Sequence, residues 1–449
     1  MKSSKYNILI DEPETGKLVV FNSLTGAIAV CDPPSVSAVK TVLNSPDQGA
    51  VSHPETYATL AAQRYIIPGH VDELEILKAR KHAGIADPNR LDLIVLPTLN
   101  CNFACPYCYE ERRPSEMNDE TEKGVNLWME HEIPKHKVLL MSWFGGEPLL
   151  GYAKVLSLSK AAVRIAQANG VSFIGHMTTN GYLLDAARIQ ELVSAEILDY
   201  QITLDGTADT HDHLRMLRGG GATFERVHHH IILLARADPR VRVTVRVNFN
   251  HTNLHTVPEL LTMFPKEIRG QLAIELEPIF GDCSQSATVN LSPTKTSSDL
   301  ARYCALAQSM GFNVQHGLGQ IHTGKLVYCN GERESQYVIG PDGSVFKCAV
   351  CKFNREERVG VITPDGSFVK DDGRWAQYVN DDLFAERCCS CTYLPLCMGG
   401  CRSARLRMGN PGSYCSLIPT NANFLLKQLA LGGIGTFMKE AVCGQACSR

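Results

Sequence analysis

Three cysteines fall within eight residues of the stretch CNFACPYCYE, at Cys101, Cys105 and Cys108. Three thiolates on one short loop can converge on one metal centre, and their number separates the candidate centres. Structural zinc takes four ligands, usually as two CxxC-like pairs, whereas a [4Fe-4S] cube held by three cysteines keeps one iron open. His131 and His136 could complete a zinc set, but both lie beyond the next helical stretch and read as solvated surface residues. A second cysteine field begins at Cys329, reaches Cys348 through C-x13-G-x4-C, and continues as Cys388-x2-Cys391-x5-Cys397-x3-Cys401, with Cys415 beyond. Cys351, in CAVC, stands beside Cys348; Cys389, Cys443 and Cys447 have no assignment, free cysteine often being a small buried apolar residue.

Loops must be positioned by regular elements, and from residue 91 strands alternate with helices. The candidate strands are LDLIVLPTL, VLLMSWF, VSFIGHM, LDYQITLD, VRVTVRVN and LAIELEPIF, with helical stretches such as DETEKGVNLWMEH and YAKVLSLSKAAVRIAQA between them. Six β/α units in succession predict an α/β fold with a mainly parallel sheet, an open one or part of a (β/α) barrel. Active sites of such sheets gather at the C-terminal strand ends. The three-cysteine loop follows the first strand, Gly145-Gly146-Glu147-Pro148 the second, Thr178-Thr179-Asn180-Gly181 the third and Asp205-Gly206 the fourth. Asn248-Phe249-Asn250 follow the fifth and Gly281-Asp282 the sixth, so polar and glycine-rich signals recur at one rim. The triple histidine 228–230 is not a metal site on this reading, because consecutive helical residues point about 100° apart. Val227, Ile231 and Leu234 form the buried stripe, and the histidines flank it.

The 449 residues carry a formal net charge of -3 at pH 7, with 44% hydrophobic and 20% charged residues. That balance fits a globular chain of two to four units and offers no electrostatic case for nucleic acid or an anionic membrane as partner. No run approaches the ~20 apolar residues of a membrane span, and the N-terminus lacks a signal-type apolar core, so the expected compartment is the cytoplasm. Seventeen cysteines are many for a reducing compartment, and 12 of them lie at or after residue 304. Thiolate metal ligation is the leading explanation.

The spacing C-x3-C-x2-C with the aromatic Tyr107 before its last cysteine, joined to GGEP after the next strand, resembles the signatures of the radical S-adenosylmethionine (SAM) enzymes. The resemblance implies that the open iron binds the amino and carboxylate groups of SAM, and that the reduced cluster cleaves it to methionine and a 5'-deoxyadenosyl radical. The protein's work is then placement and exclusion of water. It further implies that Gly145, Gly146 and Glu147 contact the SAM amino group, that Tyr107 lies near the adenine, and that Thr203 and Arg215 reach the ribose and carboxylate, with Asn180 a further contact. An arginine can meet a carboxylate in a bidentate, charge-assisted pair.

The seven-cysteine order of the second field resembles the SPASM extension of peptide-modifying radical SAM enzymes. It implies a first auxiliary [4Fe-4S] cluster on Cys329, Cys348 and Cys401 and a second on Cys388, Cys391, Cys397 and Cys415, three clusters in all. Seven thiolates for two clusters leave one position, to be filled by Cys351 or by a substrate ligand such as a cysteine thiolate.

The expected architecture is therefore a partial (β/α)6 TIM-type barrel at 89–320, a SPASM domain at 321–420 and a C-terminal helix and tail at 421–449. Residues 1–88 form a small α+β module, three strands YNILID, KLVVFN and AIAVCD followed by helical stretches SVSAVKTVL and PETYATLAAQRY and a charged linker helix. It resembles the winged-helix-like element with which peptide maturases bind a substrate leader by strand addition. From residue 325 regular periodicity fades, so metal binding is expected to hold that segment together.

Relatives with this architecture mature either sulfatases, by formylglycine formation, or ribosomally made peptides. Sulfatase maturases carry an aspartate directly after the cysteine matching Cys348, where this chain has Ala349. The expectation is a peptide maturase that abstracts hydrogen from a substrate carbon and forms a cross-link, foremost a cysteine thioether, with a precursor peptide as partner and flavodoxin or ferredoxin as external reductant. The alternatives are formylglycine formation, carbon–carbon cross-linking, and a non-enzymatic iron-sulfur electron carrier or redox sensor. No catalytic side chain is assigned.

Overall fold

The structure is a computed structural model that describes residues 1–108, 110, 115–279, 293–316, 324–379, 384–407, 423 and 426. Gly281-Asp282, Cys415, Cys443, Cys447 and most of the expected C-terminal helix lie outside the described residues. The chain divides into two compact units, one of Met1–Ile85, Leu318–Cys329 and Asn380–Arg449, the other of Ala86–Gly317 and Asn330–Val379. The expected boundaries at 321 and 420 do not coincide with this division.

In the second unit the six expected strands all form, as Arg90–Val95, Val138–Trp143, Ser172–Thr179, Ile197–Thr203, Arg242–Phe249 and Leu272–Pro278. Each pairs in parallel with its predecessor, in sequence order. Alternation explains them: in the fifth strand Val243, Val245, Val247 and Phe249 are buried while Thr244, Arg246 and Asn248 turn to the other face. Between strands, helices lay one apolar stripe inward. In Phe224–Ala237 that stripe is Phe224, Val227, Ile231 and Leu234, as the sequence implies; His230 is also buried, its Nδ1 2.8 Å from the Gly181 carbonyl. His131 meets the Leu127 carbonyl one turn back in its helix, and His136 meets the carbonyl of Pro88 before the first strand.

The sheet is larger than the sequence implies, with eleven strands among the described residues. Asn313–His316 adds in parallel outside the sixth strand, and Gln336–Ile339 adds in parallel outside the first. Ser344–Phe346, Gly360–Ile362 and Phe368–Lys370 continue antiparallel from there. This corrects the expectation that metal alone holds the chain beyond residue 325. These strands have three or four residues, too few to show a period, and two PDG turns place Gly343 and Gly366 at φ 78° and 84° to reverse the chain.

The first unit opens with an antiparallel meander, Asn7–Glu12, Lys17–Asn22 and Ile28–Cys31. Three helices follow, Pro33–Asn44, Pro46–Ser52 and Pro54–Ala62, each with proline in its first turn, where the missing N–H costs nothing. The seven-residue middle helix was not expected from the sequence. Its Gly49 lies so close to Val42 that a β-carbon would stand 2.6 Å from Val42 Cα. Leu18, Val20, Val39, Val42, Leu43, Leu60 and Tyr65 form the module's core. The cysteine-bearing segment 384–407 packs in the same unit, Leu394 and Met398 against Tyr6, Leu24 and Leu77, and Leu396 against Ile8 and Phe21.

Candidate active site

The first strand ends at Val95 and the chain turns through Leu96–Asn100 into the cysteine loop. Thr98 fixes this neck, its hydroxyl donating to the Ser115 carbonyl at 2.6 Å and accepting from the Asn100 N–H at 3.0 Å. Farther on, Ala104 N–H donates to Met216 O and Arg218 N–H to Asn102 O, both at 2.9 Å, while buried Phe103 packs edge-on against Tyr182. A loop anchored at both sides holds Cys101, Cys105 and Cys108 around one hollow that opens to solvent, lined also by Leu99, Phe103, Glu110 and Gly146.

The glycines of GGEP do packing work. A β-carbon on Gly146 would lie 2.2 Å from Asn100 O, and one on Gly145, at φ 112°, would lie 2.4 Å from Thr98 O. The second strand's loop thus presses backbone to backbone on the neck of the cysteine loop, with Glu147 N–H donating to Asn100 O at 2.8 Å. Glu147 itself is 0% exposed; its carboxylate accepts from Thr179 Oγ1 at 2.7 Å, Asn180 N at 2.7 Å and Leu149 N at 3.0 Å. Burial pushes its pKa up against the pull of those bonds. Asn180 in turn reaches back to the cysteine loop, donating from Nδ2 to Asn102 Oδ1 at 2.8 Å and lying 3.9 Å from Cys101 Sγ.

A third group surrounds Tyr107. Its hydroxyl donates to the Asp205 carboxylate and accepts from Arg215 Nη1 at 2.9 Å and Asn248 Nδ2 at 3.4 Å. Asp205 Oδ1 accepts the Asn248 N–H at 2.8 Å, and the Asp205 N–H donates to His211 Nδ1 at 3.1 Å. Desolvation raises the pKa of Asp205, and it raises that of Tyr107, which keeps the phenol protonated as the donor. Thr203 stands two residues before Asp205, buried at the end of the fourth strand. Asp205, Asn248 and Glu110 were not singled out from the sequence. Asp205 and Asn248 were visible only as polar residues after strands, and Glu110 only as the residue closing the cysteine stretch. Burial pushes Glu110 up to about 8.

These residues fit an iron-sulfur cluster and a carboxylate-bearing ligand. Among the described residues no three His, Cys, Asp or Glu side chains close on a point as the ligands of a single ion would. The three loop cysteines instead surround a space, which suits a multi-iron centre. Burial lifts the Cys101 thiol to about 12, so without metal it stays protonated, and ligation would ionise it. Arg215 Nε and Asn102 Nδ2 are buried with no hydrogen-bond partner among the described residues. Arg215 therefore holds a cation and an unspent N–H for an anionic ligand.

In the second cysteine field, Cys348 and Ala349 pack against Leu96, Leu99, Val338, Phe346 and buried Cys351. In the other unit, Cys388 and Cys391 pack against Tyr6, Leu77, Leu394 and Met398, and Cys397 against Ile8, Phe21 and Leu396. Cys329 and Cys401 belong to that same unit.

Residues 95–264 match the model of the Radical SAM superfamily. Over those residues the chain carries a radical SAM domain, and it is an enzyme; the cofactors shared by that superfamily are a [4Fe-4S] cluster and SAM. It is 26% identical over 340 residues to mycofactocin maturase of Mycobacterium ulcerans, a match spanning 70% of this chain and 83% of that protein. It is 22% identical over 333 residues to a serine-type anaerobic sulfatase-maturating enzyme of Klebsiella aerogenes, spanning 69% and 79%. Its fold is that of Streptococcus suis SuiB, solved bound to the precursor peptide SuiA, with a TM-score of 0.54 at 13% identity over 93% of this chain and 98% of that one. No described helix is long and apolar enough to cross a membrane.

Proposed function

We propose that the enzyme is a peptide maturase that takes a hydrogen atom from a carbon of a ribosomally made peptide and installs a cross-link, a thioether from a cysteine sulfur to that carbon. The observation that carries the peptide substrate is the edge strand Ile28–Cys31. It leaves Ile28 39% and Val30 40% exposed on a meander whose remaining hydrophobics are mostly buried. An exposed apolar edge is a template for an added strand, and a leader peptide of alternating apolar residues suits it.

When bound, the cluster and SAM supply a carbon radical able to remove a hydrogen atom. Cys101, Cys105 and Cys108 would hold the cluster. Arg215 would pair with the SAM carboxylate, and Gly145 and Gly146 would offer backbone carbonyls to its amino group, since the Glu147 carboxylate is committed to Thr179, Asn180 and Leu149. Tyr107 would pack by the adenine and Thr203 by the ribose, with Asn180 bracing the loop. In forming the thioether the substrate loses a hydrogen atom from carbon, a proton from the thiol and one electron. The cysteines of the second field would hold auxiliary clusters able to accept that electron, and a flavodoxin- or ferredoxin-type protein would supply the one consumed in cleaving SAM.

Formylglycine formation is the second reading, favoured by the sulfatase-maturating relative. Against it stands Ala349, packed among Leu96, Leu99, Val338 and Phe346, where the sulfatase enzymes' base would be needed. The test is anaerobic incubation of the reconstituted enzyme with SAM, a strong reductant and a cysteine-rich precursor encoded beside its gene. The expected product is lighter by two hydrogens and has lost one free thiol, while a Cys-x-Pro-x-Arg peptide stays unchanged. A cross-linked product retaining every thiol would refute the thioether, conversion of the second peptide would favour the sulfatase reading, and failure to release 5'-deoxyadenosine would point to an electron carrier.

A further inference from the structure

The short helix Arg402–Arg407 carries a cation into the cysteine field. Arg405 is 5% exposed, and its Nη2 donates to Cys388 Sγ at 3.7 Å. Its Nε is buried without a partner among the described residues. Around Cys388 the packing is apolar, from Tyr6, Leu24, Leu77, Leu394 and Met398. A guanidinium is costly to bury unless an anion faces it, and a neutral thiol does not repay that cost. A thiolate ligand of a cluster would, through a charge-assisted N–H···S contact.

We infer that Arg405 is a positioning residue that sets the reduction potential of the second auxiliary cluster. The inference rests on the proposed ligation of that cluster by Cys388, with Cys391 and Cys397 beside it in the same segment. Each one-electron reduction adds a negative charge to the cluster, and a buried cation donating to one of its sulfurs stabilises the reduced form. Arg405 therefore raises the potential. It makes this cluster a better acceptor for the electron that leaves the substrate in thioether formation, which the cluster then passes to an oxidised flavodoxin- or ferredoxin-type protein.

The test is an EPR-monitored redox titration of the holoenzyme, with Cys388→Ser identifying the signal that belongs to this cluster. Arg405→Met is expected to lower that midpoint by at least about 59 mV, a tenfold change in a one-electron equilibrium. Arg405→Lys, which keeps the charge, is expected to recover part of the shift. Arg405→Gln is measured alongside, so that loss of the cluster from one variant leaves another to decide. An unchanged midpoint in variants with full iron content would overturn the inference and leave the proposed function standing. Wild-type iron short of three clusters, or a spectrum indifferent to Cys388→Ser, would instead remove the ligation on which the inference rests.

Discussion

Asp205 orders the side chains beside the cysteine loop, receiving the Tyr107 hydroxyl and the Asn248 N–H while its own N–H meets His211. The sequence marks the three cysteines by spacing alone, but it marks Asp205 only as half of a turn, because what distinguishes it is complete burial beside Arg215, and burial has no local signature. A half-buried titratable group gives a residue-scale prediction. Desolvation lowers His176, on the third strand, from 6.5 to about 4. The folded state therefore binds fewer protons than the unfolded state between those values, so this contribution to stability is full above about 6.5 and is lost as the pH falls towards 4. At 1.36 kcal/mol per unit it amounts to about 3 kcal/mol at most. Urea melts at pH 7 and pH 5 are expected to show a smaller loss for His176→Gln than for the wild type, and equal losses would remove His176 as the source.

At the scale of elements, the long strands and helices are legible because period and length agree. The strand at Arg242–Phe249 alternates over eight residues, and Tyr152–Ala168 holds a helical stripe for seventeen. Elements of three or four residues beyond 330 carry too little pattern to be read and exist because a neighbouring strand offers its edge. The loops are legible in composition but not in contact. GGEP announces a tight turn, whereas its fit against Asn100 depends on where two strands end in the sheet. Gly146→Ala puts a β-carbon 2.2 Å from Asn100 O and 2.7 Å from Leu99 O, both backbone atoms that cannot swing aside. The expected cost is about 1–3 kcal/mol, typical of overpacking, together with a displaced cysteine loop. Anaerobic reconstitution of this variant is expected to yield less SAM-binding cluster, read by EPR with SAM present. A wild-type signal with an unchanged melting temperature would show that the two loops tolerate separation.

Across the whole molecule, the sequence announces two cysteine fields with different logic, and they make different demands on the fold. The loop at 101–108 hangs from the first strand of the large sheet; its neck, Thr98 and Leu99, bonds to Ser115, and its first half bonds through backbone groups to Met216 and Arg218, so metal is not its sole anchor. The segment 384–407 has helices of four to six residues, and apolar contacts to residues of the N-terminal module supply its packing. What the sequence left illegible is the grouping: 330–379 is drawn to the parallel sheet by Gln336–Ile339, while 384–407 belongs with residues 1–85. If the fields load independently, replacing Cys101, Cys105 and Cys108 together by alanine removes one cluster and spares the others. Iron analysis is then expected to fall by about a third, from about twelve to about eight irons per chain for three [4Fe-4S] centres. SAM cleavage is expected to cease, while the auxiliary EPR signals and the melting temperature change little. Loss of all iron in that variant would mean that the auxiliary field depends on the first loop for its assembly, and retention of all of it would deny the loop its cluster.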